Sequence, residues 1–488
     1  HDALPISNNV NSPASGGTIS INGTGSSDYG FYKESGSLLS YGGITVNASS
    51  TGSRASYYGG AGSVKSVGGI TLTNTSTSGY NWGMYVTDNQ LIQSTTGNIA
   101  ITSSGQGGAY IYGRVVAADS ESNPTAGGGI SLNATGSSSF GLQLDTSSLI
   151  ANGPIAITAT NTSAEHAFQY LGASGAIKAK GNITIQAGNA TGNTGTWGLT
   201  IYGGRTIQST GGDVSITARG SAGGGIWIDS SATTITAGNS LTAPTAGGDL
   251  TIVAEGGVAE GIRLYGGGGL VANRDITITG TSTSSNGVRI NGSQLLKANR
   301  NISITGTSSD TGGWAQYFEG SRLIQSVGGN IDITANGRWG MYINGGGVVA
   351  GNDTTNPTAG GTVSIRSTTS GSHPDGAGLR MDNTNTKILA WDDINIYANA
   401  ASAGMNGISG NGHGVLMWGS NQVIRSYNGD LTMTGYANRW VDNNAGTAGI
   451  SGGITLYSST DTLRAKGDIT LKGVSMQGIG LYLTVADG

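Results

Sequence analysis

Residues 275–304 read DITITGTSTSSNGVRINGSQLLKANRNISI, and this stretch holds one full repeat and the start of the next. Ile276 and Ile278 flank a single polar residue, and the same apolar-polar-apolar triplet returns at Ile302 and Ile304. Period-two alternation over so short a run marks a strand with one buried face. Between the two triplets lie GVRIN at 287, a second alternating segment introduced by glycine, and LLKA at 295, a third and shorter one. Gly, Asn and Ser separate the segments, as turns require.

The triplet recurs outward in both directions, from Ile19/Ile21 through Ile99/Ile101, Ile183/Ile185 and Val214/Ile216 to Val363/Ile365, Ile394/Ile396 and Ile469/Leu471. There are 16 copies at a mean spacing of about 30 residues. The second segment returns as GMYV at 83, GIWID at 225, GIRLY at 261 and GLRMD at 378, and the third as LIQS at 91 and 323. A unit of three short strands cannot bury its own apolar faces. Stacked on its neighbours it makes a continuous core and three parallel sheets. The expected fold is therefore all-β: a right-handed parallel β-helix of about 16 turns, roughly 70 Å long at the usual strand spacing, its hand taken from the general rule for parallel crossovers. PTAGG at Pro124, Pro244 and Pro357, preceded by IQS at Ile92, Ile207 and Ile324, adds a longer period of about 116 residues with a loop on every fourth turn.

Composition agrees with this reading. The chain has 89 glycines, 10% charged residues, a net charge of −4 and no cysteine. Long amphipathic helices lack the charged residues for their solvated faces, and the spaced apolar residues argue against disorder. The small, scattered charge points away from nucleic acid. No apolar run approaches the roughly 20 residues that span a bilayer. His1-Asp2-Ala3-Leu4-Pro5-Ile6 resembles a translated sequencing adapter, so residues 1–7 are expected to be non-native. Residues 8–488 are expected to form one repeat domain truncated at both ends.

Stacked turns align their residues into columns. Asn or Asp precedes the first strand at Asn98, Asn182, Asp213, Asp249, Asp275, Asn301, Asn330, Asp393, Asp430 and Asp468. Such residues bond nearby backbone and tolerate left-handed turns, so a structural turn ladder is expected, and no metal site or cofactor. Ser and Thr dominate the outward position of the first strand, as at Thr45, Thr71, Thr277 and Thr432. Tyr85, Trp227, Arg263, Arg289, Tyr342 and Arg380 occupy the outward middle position of the second strand and are expected to form an exposed contact stripe for glycans or proteins. By parity Tyr29, Trp82, Phe140, Trp197 and Trp339 should point inward.

Catalysis has little to work with. No GxSxG, Walker A or HExxH pattern is present, and His166, His373 and His413 lack metal-ligand spacing. A polysaccharide lyase or glycosidase on the same scaffold is the alternative, and it would need clustered carboxylates on adjacent turns.

The repeats GGITV, GNIAIT, GGISL, GNITI and GNIDIT, spread over residues 16 to about 485, resemble those of filamentous-haemagglutinin-like exoproteins and autotransporter passengers. The resemblance implies display on the outer cell surface of a Gram-negative bacterium. It also implies export with an outer-membrane transporter, by two-partner or autotransporter routes, and an adhesive or stalk role toward host or neighbouring-cell glycans or surface proteins.

Overall fold

The computed structural model describes residues 16–484 apart from 61, 80, 88, 164, 173, 189–196, 221–222, 231, 310–312, 371–376, 401–411, 438–451 and 477. The adapter-like segment 1–7 and His373 lie outside the described residues. Every regular element described is a strand, and the strands join three parallel sheets of 16, 16 and 15 members, a β-solenoid. The first sheet runs from Thr18–Gly25 to Ile469–Ser475, the second from Phe31–Lys33 to Ile479–Leu483, the third from Leu38–Ser40 to Thr462–Arg464. The chain divides at Thr251/Ile252 into two compact units, each built of three-strand turns.

Register turns the sequence repeat into a core. Ile276 pairs with Ile302, Thr277 with Ser303 and Ile278 with Ile304. The four isoleucines are at most 1% exposed. Each contributes about 1.5–3 kcal/mol through burial, and the in-register column repeats that gain at every turn. A one-residue slip would turn the whole isoleucine column to solvent, so the pattern specifies its own register.

The corner into the second sheet explains the glycine that opens most second strands. At Gly287 a Cβ would lie 2.6 Å from the Thr307 carbonyl oxygen and 2.8 Å from that of Ala315, both on the next turn, and closer still to the Thr307 nitrogen. Backbone thus passes backbone with no room for a side chain. The third inward position of the first strand is small for the same reason, Ala134, Ala159, Ala218 and Gly306 being examples.

The glycine also breaks strand parity, and this corrects the expectation for the corner aromatics. In Trp82–Val86 both Gly83 and Met84 are buried while Trp82 is only half-buried. The Trp82 ring meets the outward Tyr110 at 5.5 Å, and Trp197 meets the outward Trp227 at 5.4 Å. Tyr29, Phe140 and Trp339 are likewise half-buried rather than internal. The four half-buried rings cover the outside of the corner instead of filling its inside, while Trp197, 7% exposed, is buried as expected.

Candidate functional site

Parallel pairing places the predicted stripe in register within each unit. In the first unit the outward middle column runs Tyr32, Tyr57, Tyr85, Tyr110, Gln143, Gln169, Thr200, Trp227. In the second, Arg263 pairs with Arg289, then Tyr317, Tyr342 and Arg380 follow. Tyr32, Tyr57, Tyr110 and Tyr317 belong to the column and were missed; Ala55 and Ala315 stand in place of the marker glycine before Tyr57 and Tyr317, whereas Gly30 and Gly108 do lead Tyr32 and Tyr110. Their position between two inward residues was the signal that would have found them.

Strand spacing of about 4.8 Å suits ring stacking, and four consecutive tyrosines use it. Centroids of Tyr32 and Tyr57 lie 4.9 Å apart at 12°, those of Tyr57 and Tyr85 5.8 Å at 5°, and those of Tyr85 and Tyr110 4.6 Å at 14°. The Arg54 guanidinium lies 4.2 Å from the Tyr85 centroid. The Tyr110 hydroxyl donates to Asp145 Oδ2 at 3.2 Å, and burial followed by that carboxylate pushes its pKa up.

The second unit mixes rings with cations. Tyr317 and Tyr342 stack at 5.0 Å, and Arg289 lies 5.1 Å from the Tyr317 centroid. Arg289 also meets Glu260 at 3.3 Å, and Arg380 holds Asp382 at 2.8 Å through Nη2. The expected exposure needs correcting: Tyr85, Trp227, Arg263, Arg289, Tyr342 and Arg380 are all half-buried. Neighbours one turn away cover the ring faces, and Glu260 and Asp382 already engage Arg289 and Arg380. What solvent meets is a row of ring edges and hydroxyls, with Tyr32, 49% exposed, at one end.

The Asn/Asp column forms a ladder, but between turns. Asn98 Oδ1 accepts from Gly129 N at 2.8 Å, Asn182 from Asp213 N at 3.0 Å, and Asp213 from Asp249 N at 2.9 Å. Asp275 accepts from Asn301 N at 2.8 Å, Asn301 from Asn330 N at 2.9 Å, and Asn330 from Thr362 N at 3.0 Å. Asp393 and Asp430 accept from Asp430 N and Asp468 N, each at 2.8 Å. None of the ten has left-handed backbone, so the expected local turn role gives way to a bond across turns. The glycine before many rungs follows from this: a Cβ on Gly329 would stand 2.6 Å from Asn301 Oδ1. Asn301→Ala removes both a bond to Asp275 and one from Asn330, and is expected to cost about 1–2 kcal/mol in urea melts, with faster amide exchange at Asn330. Asn301→Asp keeps the acceptor for Asn330 and should cost less.

The three proline loops share one scaffold. Asn239 Oδ1 accepts from Thr245 N at 2.9 Å and Ala246 N at 3.2 Å, and Asn352 repeats this with Thr358 and Ala359 at the same two distances. Asp119 does so in the first loop, and the bonds from Thr125 and Ala126 lower its carboxyl pKa to about 2. The Gln of each IQS segment donates to the loop one turn on, Gln93 to Ala118, Gln208 to Gly238 and Gln325 to Gly351, at 2.9–3.0 Å. A groove of about 460 Å³ opens under the first loop, between Glu121, Lys178 and Lys180. At the third loop the corresponding places are taken by Arg425 and Tyr427, and the Tyr427 hydroxyl bonds the Thr355 carbonyl.

A second groove, of about 510 Å³, lies beside Arg322 and Lys387. Cleavage of a polysaccharide by paired carboxylates needs two acids about 5–9.5 Å apart. Glu121 is the one acid lining the first groove, where Arg114 holds it at 2.9 Å, and no acid lines the second.

Neither any family model nor any curated protein matches this chain. Among the described residues no helix is long and apolar enough to cross a membrane.

Proposed function

We propose that the chain is a stretch of a secreted surface protein of a Gram-negative bacterium, an adhesin or structural stalk whose contact surface is the outward column of the second sheet. The stacked tyrosines Tyr32, Tyr57, Tyr85 and Tyr110 carry this reading. Rigid ring edges with hydroxyl tips lose little side-chain entropy on contact and suit both sugar rings and protein surfaces. A solenoid in which each turn touches only its neighbours extends such a surface turn by turn. Zero cysteines fit a chain that crosses membranes before folding, and the repeats' resemblance to filamentous-haemagglutinin-like exoproteins and autotransporter passengers supplies the export route with its outer-membrane transporter. The partners on this reading are glycans or surface proteins of host or neighbouring cells.

The test is a triple replacement, Tyr57→Ser, Tyr85→Ser and Tyr110→Ser, in the whole chain. These positions face outward, so the fold should persist by circular dichroism. Binding to epithelial cells or to a glycan array is expected to fall about tenfold or more, as loss of aromatic anchors does. Unchanged binding by a folded triple variant would sink the proposal.

A further inference from the structure

The third proline loop is filled by a tyrosine of the chain itself. Tyr427, two turns on, presses a half-buried ring against the loop, where its hydroxyl donates to the Thr355 carbonyl and lies 3.4 Å from Asn356 Oδ1. The Arg425 guanidinium lies 3.9 Å from the ring centroid. A ring, a hydroxyl and a cation together tie the loop to the third sheet.

The first loop repeats this frame without the ring. Ala117, Ala151 and Ala179 align in register as Ala350, Ala390 and Ser426 do. Counted from those rungs, Ser122 and Asn123 answer to Thr355 and Asn356, Lys178 to Arg425 and Lys180 to Tyr427. Asp119 and Asn352 make the same two backbone bonds across their loops, so the loop frames agree. Ser122, Asn123, Lys178 and Lys180 all line the groove of about 460 Å³, and all four are exposed. The groove is thus the space that a ring placed like Tyr427 would take, open to solvent because a lysine stands where the tyrosine does. Among the described residues nothing donates to the Ser122 carbonyl or to Asn123 Oδ1. Ile150, packed on Val116 and Ala118, adds an apolar patch to the lining.

Charge narrows the occupant further. Glu121, the acid in the lining, is held by Arg114 at 2.9 and 3.1 Å. Neither Lys178 nor Lys180 has a carboxylate within 4.0 Å among the described residues. We infer that the groove binds a tyrosine carried on an acidic segment of a partner protein. Its ring lies over Ile150 beside the Lys178 ammonium, its hydroxyl donates to the Ser122 carbonyl, and flanking carboxylates meet the two lysines. The site is separate from the second-sheet column, and either can stand without the other.

Fluorescence anisotropy of a labelled Asp-Glu-Tyr-Glu-Asp peptide titrated with the full chain tests this. Peptides with Phe or Ser in place of Tyr, and trigalacturonate as a competitor, are the other arms. The tyrosine peptide should bind, the Phe peptide about threefold to tenfold more weakly for the lost hydroxyl bond, and the Ser peptide more weakly still. Lys178→Ala should weaken the tyrosine peptide about fivefold through loss of its cation–π and ionic contacts. Lys180→Ala removes a charge but leaves the groove open, at a loss of about threefold. Lys180→Tyr copies the third loop, so it should fold, fill the groove and bind at least about tenfold more weakly than Lys180→Ala. The variant with Tyr57, Tyr85 and Tyr110 replaced should bind the peptide as the parent does, which separates this site from the proposed adhesive surface. Half-saturation beyond about 1 mM, or Lys180→Tyr binding as well as Lys180→Ala, overturns the proposal. A Phe or Ser peptide that binds as tightly as the tyrosine peptide also overturns it, because the tyrosine is then not what is read. Trigalacturonate that displaces the peptide at a lower concentration than unlabelled peptide does gives the groove to an acidic sugar instead.

Discussion

Gly287→Ala is expected to destabilise the turns around residues 276–319 by about 3 kcal/mol or more, although it adds a single methyl group. The new Cβ would meet three backbone atoms, Thr307 N, Thr307 O and Ala315 O, and none of these can rotate away as a side chain can. Room is made only by opening the corner, which strains the pairing of Ile276–Ser282 with Ile302–Ser308. Overpacking against movable side chains costs about 1–3 kcal/mol, and fixed backbone puts this site at or beyond the upper end. Because each turn contacts its neighbours, the damage should be local: amide exchange should accelerate at Ile302 and Ile304 before the first unit responds. Gly347→Ala is the control. Its Cβ would meet Leu323 Cδ1 at 3.5 Å and Val349 Cγ2 at 3.8 Å, ordinary contacts, so the change should be neutral or slightly stabilising. Equal melting midpoints for the two variants would remove the tight corner from the account.

Acid should loosen the second unit between about pH 6.5 and pH 4, with His413 as the cause. This imidazole is 2% exposed, its Nδ1 lies 3.0 Å from the Thr455 hydroxyl, and burial, aided by Arg380, lowers its pKa to about 4. The fold holds it neutral, while the unfolded chain protonates it near its ordinary value of about 6.5. The unfolded state therefore binds more protons across that window. His413 imposes no penalty above about pH 6.5; stability falls as pH drops toward 4 and levels off below, a span worth about 3 kcal/mol. Urea melts at successive pH values measure it. In His413→Ala, which places there the residue its neighbour Ala377 already carries, that slope should disappear from the second unit. His166 in the first unit also has a pKa lowered to about 4 by burial, so an acid response over the same window should remain there.

Much of the fold was legible because its signals are local. The Ile276/Ile278 triplet states its parity within three residues, and in-register stacking needs only that every copy state the same one. The outward column of the second sheet was legible at Tyr85 and Arg289 for that reason. Trp82 was misplaced because parity fails at Gly83, and the failure comes from the backbone of an adjacent turn, which sequence order does not reveal. The Asn98 and Asp430 ladder was recognised as a column but given the wrong partners. Its acceptors reach 31 and 38 residues along the chain, beyond any local turn rule. Arg322 was legible and overlooked. It stands two residues before the inward Ile324, as Gln90, Arg205, Gln294 and Gln422 stand before their own inward residues, and all five are buried. Parity had placed a polar column inside the corner, against the habit of reading every arginine as surface.

The central claim is that the tyrosine column of the second sheet is where this chain meets its target. Oxidative footprinting of the chain bound to epithelial cells, compared with the free chain, tests it most directly. The account predicts that Tyr32, Tyr57, Tyr85 and Tyr110 lose reactivity on binding while Tyr41, 42% exposed and outside the column, keeps it. Protection of Tyr41 with the column unchanged would contradict the account.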